Sequence, residues 1–180
     1  SILERIIHSS GDFSLQSCLK FSPNACENGI NALQNGAKIL TDTYMADAAI
    51  SPMSKRTINS DIQCILAMAP TSLDSNTTTR SAIGMSNFWL DLQEKENILQ
   101  SPIVVIGSSP TALSSLLDLV ESGYSKPSLI IGMPVGFIGV SESKNRLLNS
   151  DCPHIVLEGT KGGASLAAAT TNALLRAAET

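Results

Sequence analysis

Short, continuous runs of apolar residues recur along the chain, each ended by a polar or glycine-containing break. "AKILTD" (37–42), "IQCILAM" (62–68), "PIVVIG" (102–107), "SLIIG" (128–132) and "HIVLEG" (154–159) share this design. Runs that are continuous rather than alternating mark strands covered on both faces. Between them lie segments with helical spacing and legible ends. "SPNACENGINALQNG" offers Ser22 as N-cap, Pro23 at the first helical position and Gly36 as a stop. From about Thr79 to Leu92, the residues Ile83, Phe88, Trp89 and Leu92 fall roughly on one face. "SPTALSSLLDLVESG" repeats the Ser-Pro start and the Gly stop, with Leu113, Leu116, Leu117 and Val120 turned inward. "ASLAAATTNALLRAA" closes the chain as a helix of small residues suited to close packing. Strand–helix alternation with short links predicts an α/β fold, a doubly wound, mostly parallel sheet with helices on both faces. No linker, repeat or low-complexity tract divides the pattern, so residues 1–180 read as one domain.

Composition changes this picture in two ways. Apolar residues make up 43% of the chain but aromatics only 4%, so the core is one of Ile, Leu, Val and Ala. Charged residues are 16%, below the usual quarter or so, which points to much surface buried within the chain or against a subunit. The formal net charge of −4 argues against broad binding to nucleic acid or an anionic membrane. Arg5, Lys55, Arg56, Arg80, Lys144 and Lys161 remain available for local cationic pockets. No apolar run approaches the ~20 residues of a membrane span, and no signal peptide is visible. Cys18, Cys26, Cys64 and Cys152 show no C-x-x-C pairing and, with two distant histidines, no zinc spacing. They read as buried, reduced thiols of a cytoplasmic protein. The chain opens on Ser1 rather than Met, which is expected of a processed chain or of one whose upstream sequence is absent.

In an open parallel sheet, ligands bind beyond the carboxyl ends of the strands. The loops leaving those ends are "TDTYM" (41–45), "APTS" (69–72), "GSSPT" (107–111), "GMPVGFIG" (132–139) and "EGTKGGA" (158–164). Several lead into helix N-termini, whose free N–H groups and dipole attract anions. The expected ligand carries carboxylates or phosphates. A nucleotide is the obvious thought, yet Gly132, Gly136 and Gly139 do not spell a dinucleotide fingerprint, and no phosphate-loop motif occurs. "SESK" (141–144) satisfies an S-x-x-K pattern but lacks its companion motifs.

His8, in "ERIIHSSGD", reads two ways. It is a structural residue favoured by the dipole of a helix C-terminus, or a proton donor. Arg5 lies one turn earlier on the same helical face, so an anionic substrate between the two would complete a binding site. His154 opens a strand, away from the expected ligand end, and reads as structural.

The stretches "RIIHSSGD", "FSPNACENGINALQNGAKILTD", "TRSAIGM", "GSSPTAL", "IIGMPVGFIGVSESK" and "EGTKGGASLAAATTNALL" together resemble the precorrin-8X methylmutase (precorrin isomerase) family of cobalamin biosynthesis, over nearly the whole chain. "MPVGFIGVSESK" followed by "KGG" is the most specific pair. The resemblance implies an isomerase that moves a methyl group from C11 to C12 of precorrin-8X, or of cobalt-precorrin-8, by a 1,5-sigmatropic shift. Hydrogenobyrinate or cobyrinate is the product. In the family a histidine protonates the macrocycle, and His8 takes that place in R-x-x-H-x-x-G. The resemblance also implies a homodimer and no cofactor; the partners are corrinoid substrate and product, with no nucleic acid and no membrane.

A corrinoid is a broad apolar disc fringed with carboxylates. Arg5 and Arg80 are the expected carboxylate clamps, because guanidinium forms bidentate pairs. A structural salt bridge is the competing role for both. Ser51 and Thr111 are expected hydroxyl partners, against an ordinary turn residue before Pro52 and a helix-start residue respectively. Gly136 lets backbone approach the ligand, and Met133, Val135 and Phe137 are expected to meet the disc. Lys161, between glycines, is a further substrate contact or simply solvated. Members of the family usually carry a few dozen residues before the matched region, including a helix that touches substrate; the expectation is that this sequence is a fragment with an incomplete site or that the element is missing. This chain has Ser108 and Ser109 where an Asn-Ala pair is common, and Thr160 where Arg often stands. A corrinoid-binding protein without turnover is the main alternative. A generic nucleotide-binding enzyme, resting only on the Gly-rich loops, is the third reading.

Overall fold

The aliphatic runs form the centre of one sheet. The computed structural model describes residues 1–72, 78–94 and 100–179. Its strands are β1 (Leu19–Phe21), β2 (Ile39–Thr41), β3 (Ile62–Cys64), β4 (Ile103–Ile106), β5 (Leu129–Gly132) and β6 (His154–Leu157). Their spatial order is β1-β6-β5-β4-β2-β3. All neighbours are parallel except β1, which runs antiparallel to β6 with Leu19 opposite Leu157. Every residue of β4, β5 and β6 is buried.

The helices are α1 (Ile2–Ser10), α2 (Leu15–Cys18), α3 (Ala25–Gln34), α4 (Tyr44–Arg56), α5 (Arg80–Glu94), α6 (Pro110–Glu121), α7 (Val140–Leu148) and α8 (Ala164–Ala178). Strand periodicity divides the core between the two sheet faces. Ile39, Ile103, Val105, Leu129, Ile131, Ile155 and Leu157 pack with α1, α3, α4 and α8. Leu40, Val104, Ile106, Ile130 and Val156 pack with α5 and α6 and with Leu147 of α7. Full burial of each such side chain contributes about 1.5–3 kcal/mol, and this two-sided burial holds the layers together. The sheet is therefore doubly wound, as its apolar runs predict.

Four local expectations need correcting. "IQCILAM" is strand only over its first three residues; Ile65–Met68 turn into a 3₁₀ helix that packs on α5 through buried Ile65. Ser22 is not the N-cap of α3. That place belongs to Asn24, held in the left-handed region at φ 58°, while the Ser22 hydroxyl accepts the N–H of His154 at 2.8 Å. Ser51 is no turn residue, and neither are Tyr44 and Met45; all three belong to α4, which runs through Pro52. Met133 does not face a ligand. It is fully buried, with its sulfur 3.6 Å from the Thr170 hydroxyl.

Candidate active site

The sheet reverses its winding between β2 and β4. The chain leaves β2 outward to β3, then returns across it to build β4, β5 and β6. The helices after β2 and β4, α4 and α6, consequently lie on opposite faces, which opens a crevice at these two carboxyl ends.

Asp42 fills that crevice. The residue is fully buried, and its Oδ2 accepts the backbone N–H groups of Gly107, Ser108 and Ser109 at 3.1, 2.6 and 2.7 Å. Burial pushes this carboxyl above the usual aspartate range, against the opposing pull of the three donors. The N–H groups of the loop that leads into α6, from Gly107 to the N-cap Ser109, are thus occupied by the protein's own acid. What remains facing outward is hydroxyl chemistry. Thr79 Oγ1 lies 2.6 Å from Thr111 Oγ1, which lies 3.1 Å from Ser109 Oγ. Ser109 is 2.7 Å from Ser81 Oγ, and Ser81 is 3.2 Å from Thr79, closing a ring of four hydroxyls. The ring joins two helix starts, because Thr79 accepts the N–H of Ala82 in α5 and Ser109 that of Ala112 in α6. Both helix dipoles direct their positive ends here.

The loops after β5 and β6 interlock beside it. Gly136 donates its N–H to the Thr160 carbonyl at 3.0 Å, and Gly163 donates to the Met133 carbonyl at 2.8 Å. At Gly162 a side chain would run into the backbone oxygens of Met133 and Pro134, so only glycine allows this approach. Val135 is half exposed, while Phe137 and Ile138 are 88% and 92% exposed, presenting apolar surface at the tip of the β5–α7 loop. Beneath, Lys144 of α7 is fully buried and donates to the carbonyls of Gly159 at 2.9 Å and Lys161 at 2.7 Å.

The end of α1 is tied to this assembly. Lys161 Nζ meets Asp12 Oδ2 at 2.6 Å and Ser14 Oγ at 2.8 Å. That pairing, together with the Ser14 donors, pulls the Asp12 carboxyl down to about 2. Gly11, at φ 66°, closes α1, and His8 stands exposed in its last turn. The sequence places His8 four residues before the anchored Asp12, so the tie holds its turn beside the loop after β6.

The other expected residues distribute as follows. Arg5 is exposed on α1 and borders a groove of about 600 Å³ that also includes Ile30, Leu174 and Arg176. Arg80, exposed at the start of α5, donates from Nε to the Pro70 carbonyl at 2.9 Å. Thr111 is exposed and belongs to the hydroxyl ring. Gly136 and Phe137 occupy the β5–α7 loop. Two residues stand apart. The groove beside Arg5 is lined by the last turns of α8 and by Phe21, which pairs with Ile155 near the start of β6. The Ser51 hydroxyl donates to Asp47 at 2.7 Å, and Ser51 lines a small recess with Asp61 and Ile62, where β3 begins. Both lie toward the strands' amino ends, away from the loops. His154 is buried with Nδ1 2.8 Å from the Cys152 carbonyl oxygen. Sequence reasoning passed over Asp42, Thr79 and Ser81 as site-forming groups, and named Lys144 only among six cations available for local pockets. The signal was slight: a Thr-Asp pair ending one strand, and hydroxyls at two helix starts.

Among the described residues, no group of three or more His, Cys, Asp or Glu is placed to hold a metal ion, and no helix is long and apolar enough to cross a membrane. Cys18, Cys26, Cys64 and Cys152 are free thiols.

Comparison with known proteins decides what this arrangement belongs to. The family model for precorrin-8X methylmutase matches residues 1–177. The chain belongs to the precorrin-8X methylmutase family. It is 36% identical to the cobalt-precorrin-8 methylmutase of Synechocystis sp. over 189 residues, covering 97% of this chain and 83% of that relative. Against the precorrin-8X methylmutase of Pseudomonas aeruginosa it is 36% identical over 176 residues, covering 94% of this chain and 80% of the other. The crystal structure of precorrin-8X methyl mutase from Thermus thermophilus superposes with a TM-score of 0.84 at 32% identity, covering 99% of this chain and 84% of that one. As a precorrin-8X methylmutase family member, the chain is an isomerase of cobalamin biosynthesis. The family acts on corrinoid intermediates.

Proposed function

We propose that this chain moves a methyl group from C11 to C12 of precorrin-8X or cobalt-precorrin-8, giving hydrogenobyrinate or cobyrinate, with His8 as the proton donor to the macrocycle. The C11–methyl bond breaks as the C12–methyl bond forms, and no electrons enter or leave. Protonation makes the ring electron-poor and lowers the barrier to the shift. The ring then returns a proton to the imidazole, so that product and substrate are isomers and His8 is regenerated. A positioned general acid is worth roughly 10²- to 10⁴-fold in rate.

The observation that carries this reading is the tie from Lys161 to Asp12, which holds the turn bearing His8 at the ligand end of the sheet. In this reading Arg80 clamps a rim carboxylate, Arg5 reaches a more distant one, Thr111 and its hydroxyl ring donate to another, and Gly136 and Phe137 approach the disc. Lys161, its charge paired with Asp12, contributes by holding the turn. Protein groups thereby orient the ligand for the shift. In this reading the working form is a cytoplasmic homodimer.

Mixing the purified chain with precorrin-8X and recording the visible spectrum tests the reading. Conversion of the chromophore is expected, and His8→Ala should lower turnover by about 10²-fold or more while product still binds. Full turnover in His8→Ala would remove the proton-donor role. A chain that binds the pigment without converting it would be a carrier. Light scattering of the purified chain reads the dimer.

A further inference from the structure

The two lysines beside the β6–α8 loop act in series. Lys144, on α7, is fully buried, and no carboxylate neutralises it among its described partners; its ammonium donates to two carbonyls of one loop, those of Gly159 and Lys161. A buried cation is costly unless its hydrogen bonds are met, and these two carbonyls meet them, so Lys144 and the loop hold each other in place. What the loop presents is the Lys161 side chain, whose ammonium reaches Asp12 and Ser14. The receiving turn is itself stiff. Asp12 Oδ1 accepts the Ser14 N–H at 2.9 Å, and Ser10 Oγ both accepts the Asp12 N–H at 3.1 Å and donates to the Ile6 carbonyl at 2.8 Å. Displacement of the loop is therefore passed to the last turn of α1 rather than absorbed.

We propose that Lys144 and Lys161 are positioning residues that fix the turn carrying His8, Lys144 by setting the loop and Lys161 by gripping Asp12. This rests on the proton-donor reading of His8 for its effect on rate, but not for its effect on geometry. Misplacing a reacting group by about 1 Å can cost on the order of 10²-fold, which sets the scale of the expected loss.

The chain contains two histidines, so a histidine-labelled sample gives two sets of imidazole signals in NMR, and buried His154 serves as the internal reference. Lys161→Met should move or broaden the His8 signals while leaving those of His154 in place. It should also lower kcat about 10- to 100-fold with KM changed less than about threefold. Lys161→Arg, which keeps a cation for Asp12, should restore both readouts. Lys144→Met should reproduce the effect from inside the fold; if it fails to fold, the exposed Lys161 and Asp12→Asn variants carry the test. Unchanged His8 signals in Lys161→Met would overturn the proposal, as would a raised KM at constant kcat, which would make Lys161 a substrate contact instead. His8 signals that move while turnover stays intact would sustain the positioning role and defeat the proton-donor reading, so the two failures are separable.

Discussion

The carboxylate of Asp42 accepts the backbone N–H of Ser109 at 2.7 Å, joining the end of β2 to the start of α6 across the point where the sheet reverses. The same oxygen takes the N–H groups of Gly107 and Ser108, so one atom shapes the whole β4–α6 turn and, through it, the hydroxyl of Ser109. Asp42→Ala would leave three donors without their acceptor in a site closed to water. The expected loss is about 3 kcal/mol, read as a lower urea midpoint at unchanged slope. Asp42→Asn keeps an acceptor oxygen and should cost less. A variant as stable as the parent would show that water replaces the carboxylate.

Gly162 makes a second prediction on the neighbouring pair of loops. A methyl group there meets the carbonyl oxygens of Met133 and Pro134, which belong to backbone and cannot swing aside. Gly162→Ala should therefore destabilise by about 1–3 kcal/mol through forced separation of the loops, seen as a lower Tm. Gly159→Ala offers the contrast. Its φ of 82° is strained for alanine, but nothing lies within 4 Å of the added carbon. Its cost should stay near the ~1–2 kcal/mol of a left-handed alanine.

The two variants also mark how far the sequence could be read. Strands β2, β4, β5 and β6 were legible because burial on both faces leaves an unbroken aliphatic run, and α6 because Ser109, Pro110 and Gly123 announce its ends. Strand β1 was missed: three residues with two of them exposed carry no periodicity, and the strand exists only because β6 offers it an antiparallel edge. Helix α4 was hidden by Pro52, which breaks the local pattern while neighbouring packing keeps the helix intact. For the site, motif resemblance pointed to the loops and to His8. It could not show that Asp42 would take the N–H groups of the loop before α6, or that Lys161 would turn toward Asp12, since both depend on pairings between residues 65 and 149 positions apart.

Phe137 and Ile138 stand almost fully in solvent at the tip of the β5–α7 loop. Exposed side chains contribute little to folding, so Phe137→Ser should change stability by no more than about 0.5 kcal/mol. If this ring meets the corrinoid face, its removal should weaken product binding by about tenfold, the equivalent of roughly 1.4 kcal/mol of lost apolar contact. A titration of hydrogenobyrinate into parent and variant, followed by the visible band, reads the difference. Equal affinities would exclude Phe137 from the ligand surface.

Lys144 gives the stability a pH dependence of definite sign. Burial pulls its pKa from the usual 10.5 down to about 8, partly offset by the nearby Cys18. The unfolded chain then holds this proton more tightly than the folded one. Below about pH 8 the lysine is charged in both states, and its contribution is flat. Between about pH 8 and 10.5 the folded chain releases the proton while the unfolded chain keeps it, so stability rises with pH across that window. Cys26, Cys64 and Cys152, whose thiols burial pushes upward, act in the opposite direction over part of the same range and would mask the effect in the parent alone. The informative quantity is the difference between the parent and Lys144→Met, measured by urea unfolding from neutral pH upward, in which those thiols cancel. That difference should shift in favour of the parent by on the order of 2–3 kcal/mol between neutral pH and the top of the window. A flat difference would mean that the Lys144 ammonium is solvated in the folded chain. The grip on Gly159 and Lys161 would then carry no burial cost.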